Sequence, residues 1–249
     1  MSSTFGSSIP PKESDAGGRV AIVTGASQGI GAGLVAAFRQ AGYSVVATSR
    51  SIGPSRDPAV LSVAGDIAEV ETAYRVVDQA VERFGRIDTL INNAGIFMTK
   101  AFIDYTMSDF EAITAVNLSG FFYMTQPVVR QMLVQGRGHI VNITTSLVDH
   151  ADSRSPSALT SLTKGGLAAV TRALAIEYAA HGIRVNAVAP GIIRNPAYDP
   201  ASYEGLADLH PLGRLGEISD IVEGILYLEQ APFVTGEILH IDGGQAAGR

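Results

Sequence analysis

The sequence predicts an α/β fold, a doubly wound and mostly parallel sheet with helices on both faces. Three observations carry this. Short β-branched runs recur along the chain, and each is continuously apolar rather than alternating, as in strands buried on both faces. Amphipathic stretches of helical period separate these runs, so successive strands are joined by right-handed crossovers. The 249 residues are 46% hydrophobic and 17% charged, too apolar for a disordered chain and sufficient for one large core.

Met1 to Gly18 is rich in Ser, Gly and Pro without apolar periodicity and reads as a flexible tail, leaving residues 19–249 as a single domain. Strands are expected at Val20–Thr24, Ser44–Thr48, Val60–Val63, Thr89–Asn92, His139–Thr144, Ile183–Val188 and Ile238–Ile241. Between the first two, Ile30, Leu34, Phe38 and Ala41 form a helical stripe that Gly42 stops. Ala73, Val77, Val81 and Phe84 repeat the device, ended by Gly85. The stretch 194–213 holds Pro196, Pro200 and Pro211, and a long irregular loop in a compact domain reads as a lid.

Composition removes several function classes. With 18 Lys+Arg against 24 Asp+Glu the net charge is −6, which argues against nucleic acid or an anionic membrane as partner. No run is long and apolar enough for a membrane span, and no basic segment leads into an apolar one as in a secretory signal. With 0 Cys there is no disulfide framework or thiolate nucleophile, which suits a cytoplasmic location, and no metal site is expected from 5 scattered His.

The chemistry starts at the first strand, which runs directly into Thr24-Gly25-Ala26-Ser27-Gln28-Gly29-Ile30-Gly31 before the first helical stripe. Glycines there allow a tight turn and let backbone N–H groups of the turn and helix N-terminus approach a pyrophosphate. A sharp strand-to-helix connection would also use glycines. The strand before, the helix after and the spacing of Gly25, Gly29 and Gly31 together favour a dinucleotide.

At this point the sequence resembles the classical short-chain dehydrogenase/reductase family, over nearly everything from Arg19 to Gly244. The resemblance is carried by Thr24–Gly31, Asp66-Ile67, Asn92-Asn93-Ala94-Gly95, Val116-Asn117, Ile140-Val141-Asn142-Ile143, Lys164, Pro190-Gly191 and Asp242-Gly243-Gly244, in family order. It implies a seven-stranded Rossmann-like sheet, NAD or NADP at the carboxyl ends of the strands, a small carbonyl or alcohol substrate, and a homodimer or homotetramer.

By that resemblance, the end of the second strand reads the adenosine ribose: an acidic residue there signals NAD, and an Arg accommodates the NADP phosphate. Ser49 occupies the acidic position with Arg50 beside it, so NADP(H) is favoured over NAD(H), unless Arg50 is only a solvated surface charge. Asp66 and Ile67 match residues that hold the adenine, although Asp66 would equally cap the helix starting near Ala68. Asn93, Ala94 and Gly95 match the turn packed on the riboses. Pro190, Gly191 and Ile193 match the turn over the nicotinamide, and Asn195 stands where the family often has Thr.

Carbonyl reduction needs an acid for the developing alkoxide and donors aimed at its oxygen. The family supplies Asn, Ser, Tyr and Lys; the matching positions here are Asn117, Thr145, Thr160 and Lys164. Thr145 keeps the hydroxyl of Ser, and Ser146 is adjacent. Thr160 is a larger departure, because an aliphatic hydroxyl is far less acidic than a phenol of pKa about 10 and too short to reach the same oxygen. Substitute donors are His150 with Asp149, Tyr198 or Tyr203 on the lid, or Lys164 acting with ordered water. The leading reading is an NADP(H)-preferring carbonyl/alcohol oxidoreductase; the alternative is a dinucleotide-binding sensor or scaffold that has lost turnover. A lyase or dehalogenase on the same fold is disfavoured by the intact glycines.

Overall fold

The computed structural model describes residues 18–195, 203 and 205–248. Seven strands, β1 (Val20–Thr24), β2 (Ser44–Ser49), β3 (Val60–Ala64), β4 (Thr89–Asn92), β5 (Gly138–Ile143), β6 (Ile183–Pro190) and β7 (Ile238–Ile241), form one sheet in the order β3-β2-β1-β4-β5-β6-β7. All six pairings are parallel. The helices are α1 (Gly29–Gln40), α2 (Val70–Phe84), α3 (Met107–Thr114), α4 (Gly120–Gln135), α5 (Ala158–Tyr178) and α6 (Ile218–Gln230). This is the doubly wound Rossmann-like sheet that the sequence pattern predicts.

The strands are apolar throughout because alternate residues enter two separate cores. Val20 and Ile22 of β1 pack with Val76 of α2 and with Met124 and Val128 of α4; Ala21 and Val23 pack on the other face with Leu34 and Phe38 of α1 and Ile221 and Ile225 of α6. Gly42 and Gly85, at φ +84° and +75°, follow α1 and α2 as expected, in a left-handed conformation that glycine adopts without strain. Two strand bounds differ in an informative way. β6 continues to Pro190 because Pro190 still pairs with Ile241, and β5 is displaced one residue toward Gly138, which pairs with Ile183.

Buried asparagines tie the middle of the sheet to its helices. Asn92 Nδ2 donates to Asn142 Oδ1 at 2.9 Å and to Thr125 Oγ1 at 3.0 Å, and Asn142 Nδ2 donates to Thr171 Oγ1 at 2.8 Å. These bonds lock β4 and β5 to α4 and α5, so the carboxyl ends of those strands arrive in fixed register. Between α3 and α4 the helix widens into a π-type turn, Ala115–Ser119, with buried Asn117 at its centre.

At the opposite edge, where β1, β2, β5 and β6 begin, sits a buried polar group. Glu229 Oε1 accepts from Tyr43 OH at 2.7 Å, and Glu229 Oε2 lies 2.6 Å from His139 Nδ1. Asn186 Nδ2 donates to His139 Nε2 at 3.1 Å, which fixes the tautomer: Nδ1 carries the hydrogen and donates to Glu229.

Candidate functional site

In a parallel sheet all carboxyl ends lie on one edge, and here the chain order reverses at β1, which is flanked by β2 and β4. Ligand crevices form at such switch points, because the connecting chains leave in opposite directions. A cleft of about 530 Å³ opens there. Thirteen of the residues matched to cofactor-binding positions line it: Gly25, Ser27, Gln28, Gly29 and Ile30 after β1; Arg50 after β2; Asp66 and Ile67 after β3; Asn93, Ala94 and Gly95 after β4; and Ile193 and Asn195 after β6.

The turn after β1 needs its glycines for two physical reasons. Gly25 and Gly29 have φ of +65° and +56°, where other residues are strained. Gly31 has no such φ, but a Cβ there would lie 2.2 Å from Gly25 O, so it lies beneath the turn rather than in the cleft. Thr24 and Asn93 fasten this turn to the one after β4. Thr24 Oγ1 accepts from Asn93 N and Ala94 N, both at 3.0 Å, and Asn93 Nδ2 donates to Thr24 O at 2.8 Å. The asparagine therefore shapes the floor through the backbone.

Several donors at this edge are left open for a ligand. Helix α1 begins at Gly29 with no side-chain cap and no acidic residue in its first turn, so its backbone N–H groups and the positive end of its dipole face the cleft. The buried hydroxyls of Thr48 and Ser49, both in the lining, have no hydrogen-bond partner. Arg50 is exposed beside them. Asp66 does not cap α2, whose N-cap is Glu69, but closes the turn ahead of it, accepting from Ala68 N at 3.0 Å, and it lines the cleft as well. An anion-receptive helix end, orphaned hydroxyls and an Arg fit a phosphorylated ribose.

Beyond Gly95 lies the second group of residues. Asn117 Oδ1 accepts from Ile96 N at 2.8 Å, while its Nδ2 donates to Ile96 O at 3.0 Å and to Thr163 Oγ1 at 3.0 Å. Thr160 does the same two residues on: its Oγ1 accepts from Met98 N at 3.0 Å and donates to Met98 O at 3.3 Å. Lys100 N then donates to Pro156 O at 2.9 Å. Residue 96 is thus held by the π-type turn, and residues 98 and 100 by α5 and its approach. Thr160 is fully buried. Its one hydrogen is given to the Met98 carbonyl and it accepts from the Met98 N–H, so the backbone holds this hydroxyl at both ends.

Lys164 is buried one turn further along α5. Its Nζ donates to Ile143 O at 2.7 Å and abuts Gly95, where a Cβ would come within 2.9 Å of Nζ and 3.3 Å of Asn117 Oδ1. Burial pushes the ammonium pKa down to about 8. Thr145 is half-buried and accepts from Leu147 N at 3.4 Å, which leaves its O–H to donate. Ser146 does not offer the same service: it is fully buried and donates to Gln245 Oε1 at 2.8 Å.

Two of the other substitutes for a phenol are engaged elsewhere. Asp149 Oδ2 sits 2.9 Å from His240 Nε2, while His150, beside it, is fixed through its backbone N–H to Ser146 O. Tyr203 OH accepts from Asn195 N at 2.8 Å and donates to Asn195 O at 3.3 Å. Tyr198, with Pro196 and Pro200, lies outside the described residues. Pro190 and Gly191 are not in the cleft lining; Gly191 N donates to Ile241 O at 3.1 Å and the turn packs on His210. His210, whose Nε2 accepts from Ile192 N at 2.9 Å, has no signature in the sequence, since a lone His in a loop follows no pattern. Its ring needs the space a Gly191 side chain would fill, 2.7 Å from that Cβ position.

Comparison with known proteins agrees with this geometry. The family described as Enoyl-(Acyl carrier protein) reductase matches residues 25–246. The chain is 34% identical to a 3-oxoacyl-[acyl-carrier-protein] reductase of Thermotoga maritima, over 91% of this chain and 97% of that one. Among solved structures, the 3-ketoacyl-(acyl-carrier-protein) reductase of Brucella melitensis complexed with NADH superposes with a TM-score of 0.85 at 31% identity, covering 92% of this chain and 99% of that one. The structure titled ElxO with NADP bound gives 0.86 at 29% identity, covering 93% and 100%. No helix of the described residues is long and apolar enough to cross a membrane. Fold, glycine turn, Lys164 and these matches make one statement: the chain belongs to the short-chain dehydrogenase/reductase family, oxidoreductases that interconvert carbonyls and alcohols with a nicotinamide dinucleotide.

Proposed function

We propose that this chain is an NADP(H)-preferring oxidoreductase acting on a small carbonyl or alcohol, with the cofactor held in the cleft at the β1 switch point. The observation that carries the cofactor preference is the end of β2, where Ser49 presents an unpartnered hydroxyl and Arg50 stands exposed, with no carboxylate in either position. A 2′-phosphate would meet a forked guanidinium and a hydroxyl donor there, whereas a bare ribose would find no acidic acceptor. Two of the matched structures hold NADP-type and NADH cofactors respectively, so the preference rests on these residues rather than on the fold.

When bound, the reduced nicotinamide supplies a hydride to a carbonyl carbon, and the oxidised form takes one from an alcohol. The chain's own residues do the rest. Amides of the Gly25–Gly31 turn and of α1 hold the pyrophosphate, Asp66 and Ile67 border the adenine, and Asn93, Ala94 and Gly95 floor the riboses. Thr145 aims its free O–H at the substrate oxygen, and Ile193 and Asn195 border the nicotinamide. Residues 19–249 serve as a single domain, and the lid expected at 194–213 falls largely outside the described residues. Outward apolar side chains on the helices beside the site, Phe122 of α4 and Leu162 and Ile176 of α5, suit burial in a homodimer or homotetramer. A cytoplasmic location fits a chain with 0 Cys.

Titration of the purified protein with NADPH and NADH tests this. We expect NADPH to bind more tightly, and Arg50→Ala to weaken NADPH by roughly tenfold or more while leaving NADH within about twofold, the value of a charge-assisted hydrogen bond. Equal affinities in the unaltered protein would end the NADP assignment.

A further inference from the structure

Carbonyl reduction by this chain needs a proton, and position 160 has none to give. The Thr160 hydroxyl is spent on Met98, as its 3.0 Å and 3.3 Å bonds to the Met98 N and O require. The phenol of Tyr105 donates to that same Met98 O, at 3.1 Å, and Ser146 is held by Gln245. Lys164 is different. Its ammonium carries three hydrogens, of which one is given to Ile143 O. Nζ stands directly behind Gly95, a residue of the cleft lining, with Asn117 Oδ1 beside it. Gly95 places no side chain against Nζ. No carboxylate or cation among the described residues perturbs this lysine; burial alone acts on it.

We infer that Lys164 is itself the general acid of this chain, passing an ammonium proton past Gly95 and through one water to the substrate oxygen, while Thr160 serves only to position Met98. The inference rests on the carbonyl-reductase reading above. The step balances. The carbonyl carbon gains the hydride, the C=O π pair moves onto oxygen, and an O–H bond forms there as an N–H of Lys164 breaks, the water accepting one proton and giving up another. Lys164 is left as a neutral amine and is reprotonated from solvent; the nicotinamide carries the two-electron oxidation. An ammonium of pKa about 8 is well matched to this task near neutrality, being mostly protonated yet a willing donor. Gly95 thereby acquires a reason beyond cofactor contact, since any side chain there would block the path as well as crowd Nζ.

Chemical rescue separates proton transfer from a purely structural or ribose-binding lysine. Lys164→Ala is expected to bind NADPH within about tenfold of the unaltered protein yet reduce carbonyls roughly 10²–10⁴-fold more slowly, the usual loss for a positioned acid. Small primary alkylamines of graded pKa should restore rate in a way that depends on their acidity. Reduction by the unaltered protein should fall about tenfold per pH unit above about 8, and a lysine ε-carbon NMR signal absent from Lys164→Arg should titrate near that pH in the cofactor-free protein. Tyr105→Phe should keep its rate within about threefold. Rescue that ignores amine acidity, no rescue at all with NADPH binding intact, a flat rate up to pH 10, or a collapse in Tyr105→Phe would each overturn the inference. Failure of the unaltered protein to reduce any of a panel of carbonyls while still binding NADPH would instead remove the reductase reading itself.

Discussion

Gly31→Ala is expected to cost this protein nearly all of its nucleotide affinity. The new Cβ would fall 2.2 Å from Gly25 O and 2.8 Å from Asn93 Nδ2, and the first of these is backbone in a turn already held at positive φ. Neither partner can yield cheaply: moving Gly25 pulls the amides that face the cleft, and moving Asn93 breaks its bonds to Thr24 and Gly25 O. Overpacking of this kind costs about 1–3 kcal/mol in stability, so the fold should persist while the anion cradle is lost. We expect NADPH affinity to drop by roughly 100-fold or more, about 2.7 kcal/mol. Gly53→Ala is the control, since a Cβ there meets nothing within 4 Å. Fluorescence titration of both variants decides the matter; near-normal binding by Gly31→Ala would mean the turn is not the pyrophosphate site.

Glu229→Leu should be the most damaging change far from the cleft. It leaves the His139 Nδ1–H and the Tyr43 hydroxyl buried without an acceptor, and each unsatisfied buried donor costs about 1–3 kcal/mol, so about 2–6 kcal/mol for the two. For a chain of this size that is a fall in Tm of roughly 4–24 °C. The same group makes stability depend on pH. Burial would raise the Glu229 carboxyl, but the hydrogen bond from His139 and that from Tyr43 outweigh it and hold its pKa down at about 2 from an ordinary 4.5. Burial also lowers the His139 pKa, so the pair is a carboxylate receiving a neutral imidazole N–H. A depressed carboxylate contributes stability that is fully present above the unfolded value of about 4.5 and lost as pH falls toward 2. Urea midpoints measured from pH 7 to pH 3 should therefore fall in the unaltered protein below pH 4.5. Glu229→Leu should start lower and lose less over that window; equal slopes would show that other carboxylates dominate.

How much of this was legible in the sequence depends on whether the signal is local. Each strand announces itself because burial on both faces demands a run of apolar residues, and the glycine turn because positive φ at Gly25 and Gly29 and the contact at Gly31 exclude anything larger. The cleft lining after β1, β2, β3 and β4 followed from those elements and their spacing. The rest is long-range. Nothing near Thr160 in the chain says that its hydroxyl meets Met98, 62 residues away, and Ser146 looked available until Gln245, 99 residues on, proved to hold it. Likewise His139, Glu229 and Tyr43 carry no common motif, being brought together only when β2, β5 and α6 pack. The Asn92–Asn142 pair is of the same kind: each Asn looked like a strand residue, and only the parallel register sets one against the other.

The widened turn at Ala115–Ser119 accommodates one residue more than an ordinary helical turn would. Angular phase along the rod from Met107 to Gln135 therefore slips by roughly 100° at that point, so the inward stripe of α3 and that of α4 obey different counts. Removing a single codon inside 115–119 would leave a smooth rod and an apparently harmless length change, yet it would rotate the amide of Asn117 away from Ile96 and uncouple the floor of the cleft from the wall behind it. Along this rod the Asn117 amide can do its work only if the register on either side of it is kept.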